Sequence, residues 1–248
     1  MSKTIVVTGG GRGIGRAVAL GAGALGWSVG VGYRDDRSAA DEVVAAIGAA
    51  GGRAVATRGD VAVEEDVVAL FDATAEAFGR LDGAVVNAGI AAPPLPLVEM
   101  DAARLRRIVD VNVMGALLCA REAARRLAVS RGGAGGSIVL VSSAASRLGS
   151  PNEYVDYAAS KGAVDSLALG LARELASDGV RVNAVRPGVI ETGIHASVGQ
   201  FDRAERLAPL IPAGRPGRPE EVAEAILWLL GDAASYTTGS LLDVSGGR

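Results

Sequence analysis

The sequence predicts an α/β fold: a single domain built on a doubly wound parallel sheet with helices on both faces. Three observations predict it. Short β-branched runs alternate along the whole chain with helical patterns of about ten residues or more, and such alternation requires right-handed crossovers between parallel strands. The first run, Thr4-Ile5-Val6-Val7, passes through Thr8 into Gly9-Gly10-Gly11-Arg12-Gly13-Ile14-Gly15 and then an alanine-rich helical pattern, which reads as strand, tight turn and helix. With 248 residues, 49% of them hydrophobic, the chain can bury one large core, and no internal boundary interrupts it.

The elements follow in order. After a first helix from about Gly15 to Leu25, Trp27 to Tyr33 forms the second strand and Ser38 to Ala50 a helix closed by Gly51-Gly52. Arg53 to Arg58 is the third strand, Asp60 to Phe78 a helix with Asp60 as N-cap and Gly79 as its stop, and Leu81 to Asn87 the fourth strand. A long helix from Asp101 to about Arg131 ends before the surface turn Gly132 to Gly136. Strand Ser137 to Ser142, helix Tyr157 to Ser177, strand Val180 to Val185, helix Pro219 to Leu230 and a last strand near Leu241 to Val244 complete the order. The one long segment without periodicity, about 193–217, is expected to be a substrate lid; it mixes His195, Phe201, Arg203, Arg206 and Leu207.

Composition narrows the function. A formal net charge of −3 gives no global attraction to nucleic acid, and no apolar run is long enough to cross a bilayer. No leader pattern precedes Thr4, so the expected location is cytoplasmic. The one cysteine, Cys119, lies in an apolar helical pattern and is expected to be a buried residue without a role. One histidine, His195, rules out a multi-histidine metal site and a Ser-His-Asp triad on any other histidine; no metal is expected.

The residues that carry chemistry start at the glycine turn. Gly9 lets the chain reverse, Gly13 has no Cβ to hold a pyrophosphate off the backbone, and Gly15 allows the helix to pack closely on the strand. The free N–H groups at that helix start then face an anion. Tyr157 and Lys161, four residues apart, lie on one helix face, so an ammonium can stabilise a phenolate and favour proton exchange nearer neutral pH. Tyr154 competes with Tyr157, but Ala158, not a lysine, stands four residues after it. Asn112 sits mid-helix, where asparagine is a poor helix former, and its apolar neighbours Val111 and Val113 point to burial.

Taken together, Thr8 to Gly15, Asn87-Ala88-Gly89, Asn112, Tyr157-Ala158-Ala159-Ser160-Lys161 and Pro187-Gly188 make the chain resemble the classical short-chain dehydrogenase/reductases over nearly its whole length, with a closer look of glucose 1-dehydrogenase-like and 3-oxoacyl reductase-like enzymes. The resemblance implies the Rossmann fold and a nicotinamide cofactor. It implies that Tyr157 exchanges the hydroxyl proton, that Ser143 hydrogen-bonds the substrate oxygen with Ser142 as its rival, and that Lys161 also binds the nicotinamide ribose. Asn112 would hold a water in a proton relay. The interval from Ser143 to Tyr157 is one residue longer than is usual in the family, through Ser150-Pro151-Asn152-Glu153.

For the cofactor, the resemblance implies that Gly9, Arg12, Gly13, Ile14 and Gly15 form the phosphate turn, that Asp60 and Val61 lie by the adenine, and that Asn87, Ala88 and Gly89 pass the adenosine ribose. Val86 stands where the family more often has a second asparagine. Pro187, Gly188, Ile190 and Thr192 would hold the carboxamide. Where an NAD enzyme carries an acid for the ribose 2′-hydroxyl, this chain has Tyr33, followed by Arg34, and Arg12 lies inside the turn. Two guanidiniums could clamp a 2′-phosphate, although Asp35 and Asp36 could instead pair with Arg34, so the expected cofactor is NADP, with NAD second.

The expected function is NADP(H)-dependent hydride transfer to or from the carbonyl or secondary alcohol carbon of a small ketone, aldehyde or sugar. The alternatives are a 3-oxoacyl-thioester reductase and a non-catalytic dinucleotide-binding regulator. Family members that dock acyl carrier protein place a basic residue before the glycine that closes the catalytic helix; here Asp178 precedes Gly179, which would repel an acidic carrier. Retention of Tyr157 and Lys161 argues against the regulator. A homotetramer is expected, from a stripe of small residues at Ala159, Ala163, Ser166 and Gly170, a similar supply at Ala116, Ala120, Ala123 and Ala124, and a second contact through Ser240 to Val244.

Overall fold

The computed structural model describes residues 2–193, 200 and 203–248. Of the expected lid, residues 194–199, 201 and 202, with His195 and Phe201 among them, lie outside the described residues. Seven parallel strands form one sheet: β1 (Thr4–Val7), β2 (Ser28–Tyr33), β3 (Arg53–Arg58), β4 (Gly83–Val86), β5 (Gly136–Val141), β6 (Val180–Pro187) and β7 (Leu241–Val244), in the spatial order β3-β2-β1-β4-β5-β6-β7. The order reverses between β1 and β4, so the loops leaving their carboxyl ends diverge and open a crevice there.

Both faces of the sheet are covered because both sets of alternate strand residues are apolar. Ile5, Val7, Val139 and Val141 pack on helices α1 (Gly13–Ala24), α2 (Arg37–Ala49) and the Pro219–Leu230 helix. Val6, Ile138 and Leu140 point the other way, onto α3 (Glu64–Phe78), α5 (Gly115–Leu127) and α7 (Val155–Leu175). Among the described residues no helix is long and apolar enough to cross a membrane.

Two expected helices differ by more than two residues from what the pattern suggested. The helix after β3 begins at Glu64, with Val63 at its N-cap, so Asp60 is not the cap. The Asp60 carboxylate instead accepts the Ala62 N–H two residues on, at 3.0 Å, closing a local turn that keeps Val61 and Ala62 out of the helix. The long helix expected from Asp101 to Arg131 is α4 (Ala102–Val109), a π turn over Asp110–Met114, and α5, which stops at Leu127. Asp101 does cap it, accepting the Arg104 N–H at 2.7 Å. At the π turn the Gly115 N–H reaches back five residues to the Asp110 carbonyl.

The two stripes of small residues also part company. Ala159, Ala163, Ser166 and Gly170 are exposed along α7, whereas Ala116, Ala120 and Ala123 on α5 are buried against this chain's own sheet and offer no surface to a partner. α7 meets the sheet with the opposite face, through Val164, Ala168 and Ala172.

Candidate active site

The crevice at the carboxyl ends of the strands is a cleft of about 350 Å³. Its floor is the turn between β1 and α1. Gly15 has no room for a side chain, since a Cβ would stand 2.2 Å from the Gly9 carbonyl oxygen. Gly13 has φ +54°, which a side chain would strain, and one there would grow toward Thr192, 3.4 Å away. Arg12, the N-cap of α1, makes no side-chain cap, so the first N–H groups of a twelve-residue helix are left for an anion.

The turn is held by the end of β4. The buried Thr8 hydroxyl accepts the N–H groups of Asn87 at 2.9 Å and Ala88 at 3.0 Å. The Asn87 amide returns two hydrogen bonds, to the carbonyls of Thr8 at 2.8 Å and Gly9 at 3.1 Å. Across the cleft, β6 ends at Pro187, Gly188 donates to Val244, and Ile190 bridges to Gly217. That brings Thr192 to the glycine turn.

At the outer end of β2, Arg34 donates to Asp35 at 2.6 Å and lies 3.9 Å from Asp60. Asp36 is occupied as the cap of α2, accepting from Ala39. Asp60 also pairs with Arg107 at 3.1 Å; the Ala62 N–H and the arginines outweigh the effect of burial and hold its carboxyl below the usual range. Arg34, Arg58 and Arg12 all act on Asp35 and keep its carboxyl low, the Arg34 hydrogen bond most strongly. Arg12, Tyr33 and Arg34 line this end of the cleft, while Val61 lines it and packs on Gly115. Arg58 adds its charge near Asp35 but donates its Nε to the Arg34 carbonyl at 3.1 Å and does not line the cleft, and Asp35 competes with any ligand for Arg34.

At the carboxyl end of β5, Ser143 and Ser142 are separated by what they touch. Ser142 is buried and donates to the Lys161 carbonyl at 3.1 Å, which spends it on structure. Ser143 faces the cleft, close enough to Tyr157 to act on its phenol. Lys161 is buried, donates to the Val141 carbonyl at 2.8 Å, and holds its Nζ 5.6 Å from the Tyr157 ring centre. Asp156, itself 8% exposed, accepts the Tyr157 N–H at 2.8 Å and is gripped by Arg104 at 2.8 Å, so α4 fixes the start of the tyrosine helix.

The expectation that Lys161 draws the phenol toward neutrality is not met in the chain alone. Burial is the strongest influence on Tyr157 and raises it, with the Ser143 hydrogen bond opposing. Lys161 suffers the same desolvation and falls to about 8, with the Asp165 carboxylate pulling the other way.

Asn112 sits in the π turn, 1% exposed. Its amide donates to the Ile90 carbonyl at 2.9 Å and to Ser160 at 3.1 Å, and its oxygen accepts the Ile90 N–H at 2.8 Å. Both donors are taken and one lone pair is left. Asn112 and Lys161 converge on Gly89, where a Cβ would lie 3.3 Å from Oδ1 and 3.4 Å from Nζ. Sequence reasoning missed the latch made by Thr8, the grip of Arg104 on Asp156, and Arg58. The only local signal for any of them was an acid directly before Tyr157.

The residues fit a dinucleotide: a tight turn, an uncapped helix start, an end where Arg12 and Arg34 stand among aspartates, and a buried lysine follow one another along one cleft. A family model described as enoyl-(acyl carrier protein) reductase matches residues 9–248. The chain is 51% identical to the uncharacterized oxidoreductase YgfF of Escherichia coli, over 98% of each chain. It is 42% identical to a cis-4-hydroxycyclohexanecarboxylate dehydrogenase of Sinomonas cyclohexanicum, over 99% of this chain and 96% of the relative. The crystal structure of a short-chain type dehydrogenase/reductase from Mycobacterium marinum matches with a TM-score of 0.92 and 36% identity, over 99% of this chain and 94% of that one. This chain belongs to the short-chain dehydrogenase/reductase family, and it is an oxidoreductase acting on alcohols and ketones with a nicotinamide cofactor.

Proposed function

We propose that the enzyme is an NADP(H)-dependent reductase of small ketones, aldehydes or sugars, working also in the oxidative direction on their alcohols. One observation carries the reading: Tyr157, Ser143 and Lys161 line the same cleft as the uncapped start of α1. Tyr157 gives the proton to the substrate oxygen in reduction and takes it back in oxidation. Ser143 holds that oxygen where charge develops. Lys161 is cationic below about pH 8, binds the nicotinamide ribose and favours the phenolate when the tyrosine has given its proton. Asn112 keeps one lone pair for a relay water. The bound cofactor supplies or accepts the hydride.

Tyr33 in place of an acid, with Arg12 and Arg34 lining the cleft beside it, supports a 2′-phosphate over a 2′-hydroxyl. A relative named for a hydroxycyclohexanecarboxylate supports extending the substrate class to cyclic secondary alcohols and ketones. Assembly is a homotetramer located in the cytoplasm. The exposed α7 stripe, the exposed Trp228 and Tyr236, and the edge strand β7 support two separate contacts.

One preparation of purified protein tests this reading. NADPH is expected to exceed NADH in kcat/KM by about tenfold or more, with Arg34→Ala eroding NADPH use selectively. Preference for NADH overturns it. Light scattering is expected to give about four chain masses, and a mass of one chain overturns the assembly.

A further inference from the structure

Two buried polar groups in the cleft have no task in the chemistry above. The Tyr154 hydroxyl and Arg203 Nη1 are shielded from solvent, and neither has a hydrogen-bond partner among the described residues. Tyr154 is 5% exposed and Arg203 7%, and both residues line the cleft that holds Tyr157 and Ser143. The guanidinium lies over the Tyr154 ring, 4.8 Å from its centre, so the two residues are packed against each other. Arg203 is not wholly unpartnered: its Nη2 donates to Glu153 at 2.7 Å. Burying a donor without an acceptor is unfavourable, and here it happens twice on stacked residues in one cleft.

The backbone also holds these residues in an uncommon way. In the turn just before Tyr154, Ser150 has φ +45° and Asn152 φ +63°, both in the left-handed region without being glycine. The Tyr154 N–H donates to the Ser150 carbonyl at 3.0 Å, and the Glu153 carbonyl accepts from Leu95 at 3.0 Å, which pins the turn at both ends. Uncommon backbone of this kind gathers at ligand clamps.

The missing partner has a defined chemistry. A guanidinium can only donate and a phenol donates readily, so the group that joins them must accept. A carboxylate has two oxygens for two donors and gains from the cation as well. Ile90, Ala91, Ala145 and Leu148 line the same cleft and offer apolar contact to the body of a substrate. We propose that Tyr154 and Arg203 form a subsite for a substrate carboxylate, so that the enzyme prefers oxo or hydroxy acids whose acid group is separated from the reacting carbon by an apolar body. The proposal rests on the reading of Tyr157 and Ser143 given under Proposed function, which fixes where the reacting carbon lies.

The test compares 4-oxocyclohexanecarboxylate with its uncharged match 4-methylcyclohexanone, with NADPH and NADH. The wild type is expected to favour the acid in kcat/KM by about tenfold or more, and Tyr154→Phe to lower that acid-to-neutral ratio about tenfold. Arg203→Lys keeps the charge facing Glu153 but loses the forked donor, and gives the same readout on a second variant. A wild-type ratio near one, or a ratio equal in wild type and variants, overturns the subsite. If neither ketone is reduced, the catalytic reading has failed. Calorimetric titration of cyclohexanecarboxylate into the cofactor-loaded protein then decides the subsite separately. Binding weakened about tenfold by Tyr154→Phe supports it; equal affinity, or no binding to the wild type, overturns it.

Discussion

The two ends of the cleft are built on opposite terms. At the glycine turn the polar groups that shape the floor are paired: Thr8 takes two N–H groups, and Asn87 gives two hydrogen bonds back. Around Tyr154 and Arg203 two buried polar atoms have no partner among the described residues, and the turn that carries Tyr154 has two left-handed residues. The difference separates holding a shape from waiting for a ligand. A floor that must fit one unvarying part of a cofactor gains from being finished before it binds. A wall that must choose among substrates gains from donors that only the right one completes.

The largest effect is expected between the two ends, where the proton moves. Tyr157→Phe removes the phenol that faces Ser143 across the cleft and is expected to lower kcat by a factor on the order of 10² or more, with cofactor affinity nearly intact. Steady-state kinetics beside a cofactor titration reads both, and a variant keeping most of its turnover defeats the assignment.

Next comes a substitution aimed at the finished floor. Thr8→Val keeps the shape but leaves the N–H groups of Asn87 and Ala88 without their acceptor. Stability is expected to fall by about 2 kcal/mol or more, lowering the melting temperature by about 4–8 °C, and cofactor binding to weaken with it. Tyr154→Phe, which also removes one hydroxyl, is expected to cost no stability, since nothing among the described residues bonds that hydroxyl. Equal losses in the two variants would erase the contrast between the ends.

The smallest effect is set by pH. Burial lowers Lys161 to about 8 in the folded chain, below its ordinary 10.5. Above about pH 8 the free enzyme loses this cation, so kcat/KM for the cofactor is expected to be level below that point and to fall about tenfold per unit above it. Stability moves the other way. Between about 8 and 10.5 the unfolded lysine keeps a proton that the folded one has released, so this group's contribution to stability rises with pH across that window. A level cofactor profile through pH 9 would mean that Lys161 keeps its charge.

Much of the fold was legible because strand and helix periods are local. Arg53–Arg58 and Pro219–Leu230 were read to the residue, the last strand was placed near Leu241 to Val244, where it lies, and the glycine turn marked the crevice. What escaped depends on contacts distant in sequence. Asp60 looked like a cap because aspartate before an acidic helical run usually is one, but its N–H donates to Asp66, and Arg107, 47 residues away, takes its carboxylate. The alanines of α5 and the small residues of α7 follow the same spacing, yet one set faces the parent sheet and the other faces outward. Periodicity tells which residues share a face; it does not tell what lies against it. Tyr154 was set aside as a proton donor for want of a lysine, and nothing in the sequence pointed to Arg203 lying over its ring.

The π turn at Asp110–Met114 has a further consequence for anyone comparing or redesigning such chains. By reaching back five residues instead of four, it behaves as one extra residue wound into an otherwise α-helical rod. One residue is about 100° of rotation. Ala102–Val109 and Gly115–Leu127 are therefore out of phase with each other, and no single helical wheel drawn from Asp101 to Leu127 gives the right inner face for both halves. An insertion or deletion placed within these five residues would turn Asn112 away from Ile90 while leaving the hydropathy of the helix almost unaltered, so the defect would pass unnoticed in any score based on pattern alone.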